Sequence, residues 1–241
     1  MNAEEYIKLA AVERTHWYYA GKREFVQAWL RRVRPPQPSN LLLDCGAGTG
    51  LFAAEMSAHC RVMVLDDHEE ALRMLRARFN PEQILSLSGD QVPLPDGSLD
   101  YVTALDVLEH TPDDAAVVQG FHRLLKPGGV TVVTVPAHMA LWSEWDIALH
   151  HYRRYTRPQL RALFPAAEWE LDYVNYTNVP VYPLVWMIRK WRRWFPDRID
   201  ERPLPGWLNW LLRVQFVGLA LARVPMPFGV SLVLVARKQP G

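Results

Sequence analysis

Only two cysteines, Cys45 and Cys60, occur in 241 residues, too few for a disulfide framework and in keeping with a reducing compartment. No run of about 18 uncharged apolar residues is present, which excludes a helix that spans a bilayer. The first ten residues carry the acidic pair Glu4-Glu5 and lack the basic-then-apolar order of a secretory leader, so a cytoplasmic protein is expected. There is no internal repeat, no low-complexity tract and no excess of one charge, with 27 Lys+Arg against 26 Asp+Glu. What remains is 49% hydrophobic and 22% charged, the mix of a globular chain rather than a disordered or fibrous one. The length suits one domain or one domain with an elaboration.

The near-neutral total hides an asymmetry. Residues 1–152 carry 13 basic against 20 acidic residues, a balance of −7, whereas residues 153–241 carry 14 against 6, a balance of +8. Five of the ten tryptophans, Trp186, Trp191, Trp194, Trp207 and Trp210, lie in one stretch of the basic half. An acidic front and a basic, tryptophan-rich back point to two tasks, the second involving an anionic partner.

Periodicity predicts a helix over 14–33, a linker from Pro35 to Asn40, and a buried strand at Leu41-Leu42-Leu43. Helices at 50–59, 69–79 and about 113–125 alternate with strands at 61–65, 83–87, 99–105 and 130–135, and Lys126-Pro127-Gly128-Gly129 stops the last of these helices. Such alternation predicts an α/β fold, a mostly parallel sheet with helices on both faces. Beyond Pro136 the rhythm breaks into an aromatic- and His-rich loop. A helix at 158–163, a strand at 168–176, about fifty apolar and basic residues and a strand at 231–236 follow.

The densest signal is Asp44-Cys45-Gly46-Ala47-Gly48-Thr49-Gly50, a buried strand running into a glycine turn that opens a helix. Glycine permits positive φ and lets the backbone approach a ligand, and the helix N-terminus adds free N–H groups. The dinucleotide fingerprint fails, because its third glycine would fall at Leu51. That argues against a nicotinamide enzyme. Cys45 reads as a small buried hydrophobe.

The spacing Asp-x-Gly-x-Gly-x-Gly resembles motif I of the class I S-adenosylmethionine-dependent methyltransferases, and further motifs follow in order. Val64-Leu65-Asp66-Asp67 places an acid after the second strand, Gly89-Asp90-Gln91 and Leu94–Asp100 follow the third, Asp106–His110 follow the fourth, and Leu124–Gly129 precede the fifth. The resemblance covers roughly residues 40–136. It implies a Rossmann-like seven-stranded sheet, S-adenosylmethionine as cofactor, and a cofactor site at Asp44, Gly46, Ala47, Gly48, Gly50, Asp66, Asp67, Asp90, Gln91 and Asp106. Asp66 would accept from the ribose hydroxyls, Asp90 from the adenine amine, and Asp106 would lie beside the methionine moiety. Singly each has a structural alternative; Asp66 also suits a helix cap. The run Glu13–Arg23 resembles the aromatic-then-basic entry helix of a bacterial subset of these enzymes. There Tyr19 would stack near the sulfonium and Arg23 would meet the methionine carboxylate, the alternative being an ordinary amphipathic helix.

A proton-bearing acceptor benefits from a base of near-neutral pKa, which makes histidine the first choice. His151 is the favoured base and His110 the second candidate, with an orienting role as its alternative. Trp142, Trp145, Tyr152, Arg153, Arg154 and Tyr155 form the substrate-side set, since this loop follows a strand's C-terminal edge. The structural alternative pairs Asp146 with Arg153 or Arg154 and sets His151 against a backbone group. No metal site is expected, because adjacent His150 and His151 do not converge on one ion.

Residues 184–195 and 207–222 read as an insertion of two helices, in which Leu184, Met187, Ile188, Trp191 and Trp194 share one face. Packing or dimerisation, contact with the inner face of a membrane or a lipid-linked substrate, and nucleic-acid binding are its possible uses, the last the weakest. The expectation is one methyltransferase domain over 1–241: cap helices at 1–39, a cofactor core at 40–136, and a substrate half at 137–241 with the insertion at about 179–225. Its acceptor would be an O or N atom of a small molecule or of a lipid- or glycan-linked intermediate. A natural-product or quinone-type O-methyltransferase is one alternative, and a non-catalytic, membrane-associated cofactor-binding protein another.

Overall fold

The computed structural model describes residues 3–87, 91–192 and 204–240. Two helices lead, α1 (Ala3–Val12) and α2 (Trp17–Val33), and His16 caps the second by accepting from the Tyr18 N–H at 3.3 Å. There follow β1 (Leu41–Cys45), α3 (Leu51–Met56), β2 (Arg61–Leu65), α4 (Glu69–Arg76), β3 (Ile84–Leu85), β4 (Leu99–Leu105), α5 (Asp114–Leu124) and β5 (Leu125–Pro136). The rest comprises α6 (Glu144–Ala148), α7 (Arg157–Ala162), β6 (Trp169–Thr177), α8 (Tyr182–Arg192), α9 (Gly206–Leu221) and β7 (Ser231–Lys238).

The seven strands form one sheet in the order β3-β2-β1-β4-β5-β7-β6. All pairs from β3 to β5 are parallel, and β7 runs antiparallel between β5 and β6. This is the Rossmann-like, mostly parallel arrangement that the alternation of elements predicts. Successive residues of a strand point to opposite faces. Leu43 therefore joins the core under α5 and α7 with Phe121 and Leu160, while Leu42 joins that under α2, α3 and α9 with Trp29, Phe52 and Phe216. Both faces are covered, which is why β1 and β4 are apolar almost throughout.

The elements differ from expectation in detail. Helix α3 stops at Met56, β3 shrinks to two residues, and β5 begins at Leu125, with Gly128 in the left-handed region at φ 73° and a register shift against Leu99–Tyr101. Helix α6 is an addition to the sequence reading, and α1 falls within the stretch expected to hold cap helices. Cys45 and Cys60 are both buried and unpaired, and burial pushes the Cys45 thiol up to about 12. Trp194 lies outside the described residues. No helix among those described is long and apolar enough to cross a membrane.

Candidate active site

The carboxyl ends of β1, β2, β4 and β5 open onto a cavity of about 1020 Å³, the place where open α/β sheets bind ligands. Its floor is the glycine turn. The Gly46 and Ala47 N–H groups donate to the Leu65 carbonyl at 2.8 and 3.0 Å, tying the turn to β2, and Gly46 and Gly48 hold φ at 68° and 58°. The Gly48 and His68 N–H groups donate to the two oxygens of Asp66 at 2.8 and 3.0 Å. Burial nevertheless raises the Asp66 pKa, against these bonds. Each Asp66 oxygen keeps acceptor capacity, and exposed Asp67 lines the cavity next to it. Gly50 differs from its neighbours: it is outside the lining, and a Cβ there would stand 2.6 Å from Leu75 and 2.7 Å from Phe79. Its bareness serves packing against α4.

Three more carboxyls line the cavity. Asp44, 3% exposed, accepts from the Thr103 hydroxyl at 2.8 Å, and burial pushes its pKa up to about 7. Asp106 sits in the left-handed region at φ 60° and accepts from Lys22, from the Thr134 hydroxyl at 2.8 Å and from the Tyr18 hydroxyl at 3.4 Å. Burial works against its charge, but the Lys22 ammonium holds its pKa below the usual carboxylate range. Glu109 is wholly buried, neither oxygen has a hydrogen-bond partner, and burial drives its pKa well up.

Helix α2 delivers its cation one residue earlier than the sequence suggested. Tyr18 and Lys22 are four apart and share a helix face aimed at Asp106. Tyr19 and Arg23 also line the cavity, but the Arg23 guanidinium is engaged, Nε with Glu55 at 2.9 Å and Nη1 with the Glu13 carbonyl at 2.7 Å. Helix α1 covers the turn from above: Tyr6 packs 4.7 Å from the His68 ring, and Thr49 donates to Glu13 at 2.6 Å.

Opposite the glycine turn stand the two histidines. His151 Nδ1 lies 3.0 Å from Asp146 Oδ1, and its ring meets His110 edge-on at 4.6 Å between centroids. Asp146 is fully buried and also accepts from Arg154 Nε at 2.7 Å and Arg189 Nη1 at 3.2 Å. Burial alone would raise its pKa, but the His151 bond and the two arginines hold it well below the usual range. In the neutral tautomer that donates Nδ1–H to ionised Asp146, Nε2 is the acceptor. Burial lowers the His110 pKa to about 4, so His110 is neutral at pH 7. Ligand atoms of Glu109, His110 and His151 lie within 4.8 Å of one another, a grouping able to hold a metal ion that adjacent His150 and His151 do not make.

The substrate-side set divides. Trp145 and Tyr152 line the cavity and are 44% and 58% exposed. Trp142, Arg153 and Tyr155 do not line it: Arg153 pairs with Asp114 at 2.8 Å, and the Tyr155 hydroxyl donates to the same carboxylate at 2.7 Å. Arg154 reaches the lining, but it is 5% exposed and spent on Asp146 and the Ala137 carbonyl. Of the two partners considered for Asp146, Arg154 is the one observed. Gln91 is exposed and off the cavity, and Asp90 lies outside the described residues. Lys22, Tyr18, Glu109 and Tyr6 are not singled out as site residues by the sequence, although Tyr18 and Lys22 lie in the Glu13–Arg23 run and Glu109 in the Asp106–His110 motif.

Residues 43–133 match the family model described as a methyltransferase domain. A probable S-adenosylmethionine-dependent methyltransferase of Mycolicibacterium smegmatis is 33% identical over 54% of this chain and 52% of its own length. A ubiquinone biosynthesis O-methyltransferase of Xanthomonas campestris pv. campestris is 30% identical over 59% of this chain and 68% of its own. The chain thus spans about half the length of the first of these relatives and two thirds of the second. The structure of a possible histamine N-methyltransferase from Thermotoga maritima superposes with a TM-score of 0.63 at 17% identity, covering 98% of this chain and 96% of that one. The chain belongs to the S-adenosylmethionine-dependent methyltransferases. Its residues fit S-adenosylmethionine: Asp66 and Asp67 offer acceptors to a diol, Asp44 and Asp106 line the same cavity, and a side chain at Gly48 would reach into that cavity with only Tyr6, at 4.0 Å, near it.

Proposed function

We propose that this enzyme methylates an oxygen or nitrogen of a small, partly apolar acceptor, and that a lipid- or glycan-linked intermediate fits it best. Bound S-adenosylmethionine supplies an electrophilic methyl group. The observation that carries the reading is the buried Asp146–His151 pair on the cavity wall opposite the glycine turn. Asp146 holds the imidazole by Nδ1, and Nε2 takes the acceptor's proton. Asp66 and Asp67 bind ribose hydroxyls, Gly46, Ala47 and Gly48 bring backbone close to the cofactor, and the Lys22–Asp106 pair with Tyr19 frames its methionine end. Asp90 is assigned to the adenine amine by family resemblance. Trp145 and Tyr152, aromatic and half-exposed at the mouth, receive the acceptor. In this scheme residues 1–39 cap the site, 40–136 hold the cofactor and 137–241 hold the acceptor, as one catalytic unit.

A quinone-type O-methyltransferase is the alternative the Xanthomonas relative suggests, and the Glu109–His110–His151 trio gives it a metal-assisted form. One experiment separates the two. Turnover is measured with phenolic and lipid-linked acceptors, with and without a chelator, for wild type and His151→Ala. A base role predicts a loss of about 10²–10⁴-fold in His151→Ala, unchanged cofactor affinity and no effect of the chelator. Abolition of turnover by the chelator, restored by a divalent cation, assigns the trio to a metal and removes His151 as the base.

A further inference from the structure

Helix α9 carries two faces of opposite use. One is buried on α2: Phe216 packs on Tyr18 and Phe25, Asn209 accepts from the Trp17 N–H at 2.8 Å, and the Trp29 indole donates to the Ala220 carbonyl at 3.1 Å. Residues 209, 213, 216 and 220 recur at helical spacing and make that stripe. The opposite stripe comprises Trp207, Trp210, Leu211 and Val214, exposed by 69, 64, 48 and 49%. A surface helix normally turns polar residues outward; here the outward stripe is the more apolar one. The preceding helix in the chain repeats the pattern. In α8, Val185 and Arg189 line the cavity, while Leu184, Trp186, Met187 and Trp191 are 43–64% exposed.

The charges of residues 173–241 are mostly of one sign, with Asp197, Asp200 and Glu201 the only acids. From Tyr173 to Pro240 the described residues include no Asp or Glu. Lys190 is exposed on α8, its ammonium 5.5 Å from the Trp186 ring, and exposed Arg223 follows the end of α9. Arg32 of α2 meets that same end, donating to the Leu221 carbonyl at 3.3 Å. Exposed indoles interleaved with cations match the headgroup region of an anionic bilayer, where tryptophan sits at the interface and cations meet lipid phosphates. Residues 173–241 carry 10 basic against 3 acidic residues, so a second copy would set one net positive stretch against another, whereas an anionic bilayer answers it.

We propose that the outward faces of α8 and α9 dock the enzyme on an anionic phospholipid bilayer. Helix α8 then touches lipid on one side and, through Arg189, the Asp146 that holds His151 on the other. An amphiphilic acceptor could pass from bilayer to cavity along it; that last link rests on the acceptor reading above, whereas the docking does not.

The test uses the full chain and vesicles of phosphatidylcholine, alone or mixed with phosphatidylglycerol. Binding to the mixed vesicles, weakened by salt, is expected, with quenching of the protein's tryptophan fluorescence by brominated lipid. Trp207→Ser/Trp210→Ser should weaken the partition by about tenfold or more, with S-adenosylmethionine affinity unchanged as the check on folding. Three results overturn the proposal: no vesicle binding at low salt, equal binding by the double variant, or a wild-type dimer that the variant dissolves. Quenching in the wild type needs no variant and stands even if the double substitution unfolds the chain. Loss of turnover with intact vesicle binding would count against the acceptor reading and leave the docking surface in place.

Discussion

His151 Nδ1 and Asp146 Oδ1 stand 3.0 Å apart, and the same buried carboxylate takes Arg154 and Arg189. One residue on a five-residue helix thus gathers the proposed base, a cation from its own loop and a cation from the insertion. Removing its charge would strand Arg154, whose side chain is 4% exposed. Asp146→Asn is expected to cost about 3–5 kcal/mol, roughly a 6–20 °C fall in Tm for a chain of this size. Calorimetry checks it, and an unchanged Tm would show that the cluster does not hold the loop.

Asp66 tests the cofactor site. Asp66→Ala removes the acceptor of the Gly48 and His68 N–H groups and the assigned ribose ligand together. S-adenosylmethionine should bind more weakly by about 1–3 kcal/mol. Titration calorimetry measures this, and an unchanged dissociation constant takes Asp66 out of the site.

The glycines of the turn should separate by phenotype. Gly48 and Gly50 both hold positive φ, so alanine at either costs about 1–2 kcal/mol of backbone strain. Gly50→Ala adds a clash with Leu75 and Phe79 and should lower Tm further while sparing cofactor affinity. Gly48→Ala meets no near neighbour and should instead weaken cofactor binding. Tm and dissociation constant measured on both variants decide, and a common phenotype would refute the division.

Asp44 sets a pH dependence. Its pKa is about 7 in the fold against an ordinary 3.8, so the fold keeps a proton that the unfolded chain has released. Asp44 therefore favours the fold below about pH 4, and that contribution drains away as pH rises to 7. Asp44→Asn should equal wild type at pH 4 and exceed it at pH 8 by up to about 4 kcal/mol. Denaturant titrations at the two pH values show it, and a gap constant with pH would mean that Asp44 ionises normally.

The core of this fold was legible because it is written in short-range patterns. Leu41–Leu43, Arg61–Leu65 and Leu99–Leu105 are bounded by glycine, proline or helix signals, and the structure reproduces two of these strands residue for residue as β2 and β4. The Asp44–Gly50 turn was legible for the same reason. What escaped depends on residues far apart in the chain. Lys22 meets Asp106 across 84 positions, and the spacing within α2 does not say whether its Arg23 or its Lys22 faces inward. Arg153 and Tyr155 leave the cavity because Asp114, on another helix, takes them both. Helix α6 was hidden by its five-residue length, and which face of α9 turns outward is decided by its packing on α2, far away in the chain.

Strand β7 lies between β5 and β6, so neither can finish its ladder until Ser231–Lys238 has been made. Ribosomes add about 5–20 residues per second, and some 95 residues separate the end of β5 from the start of β7, so a nascent chain waits roughly 5–20 s with that edge bare. During that interval Val130, Val132, Val133 and Val135 present an open ladder to any extended neighbour. Yield in cells should then depend on chaperone supply and translation speed more than the finished enzyme's stability would suggest.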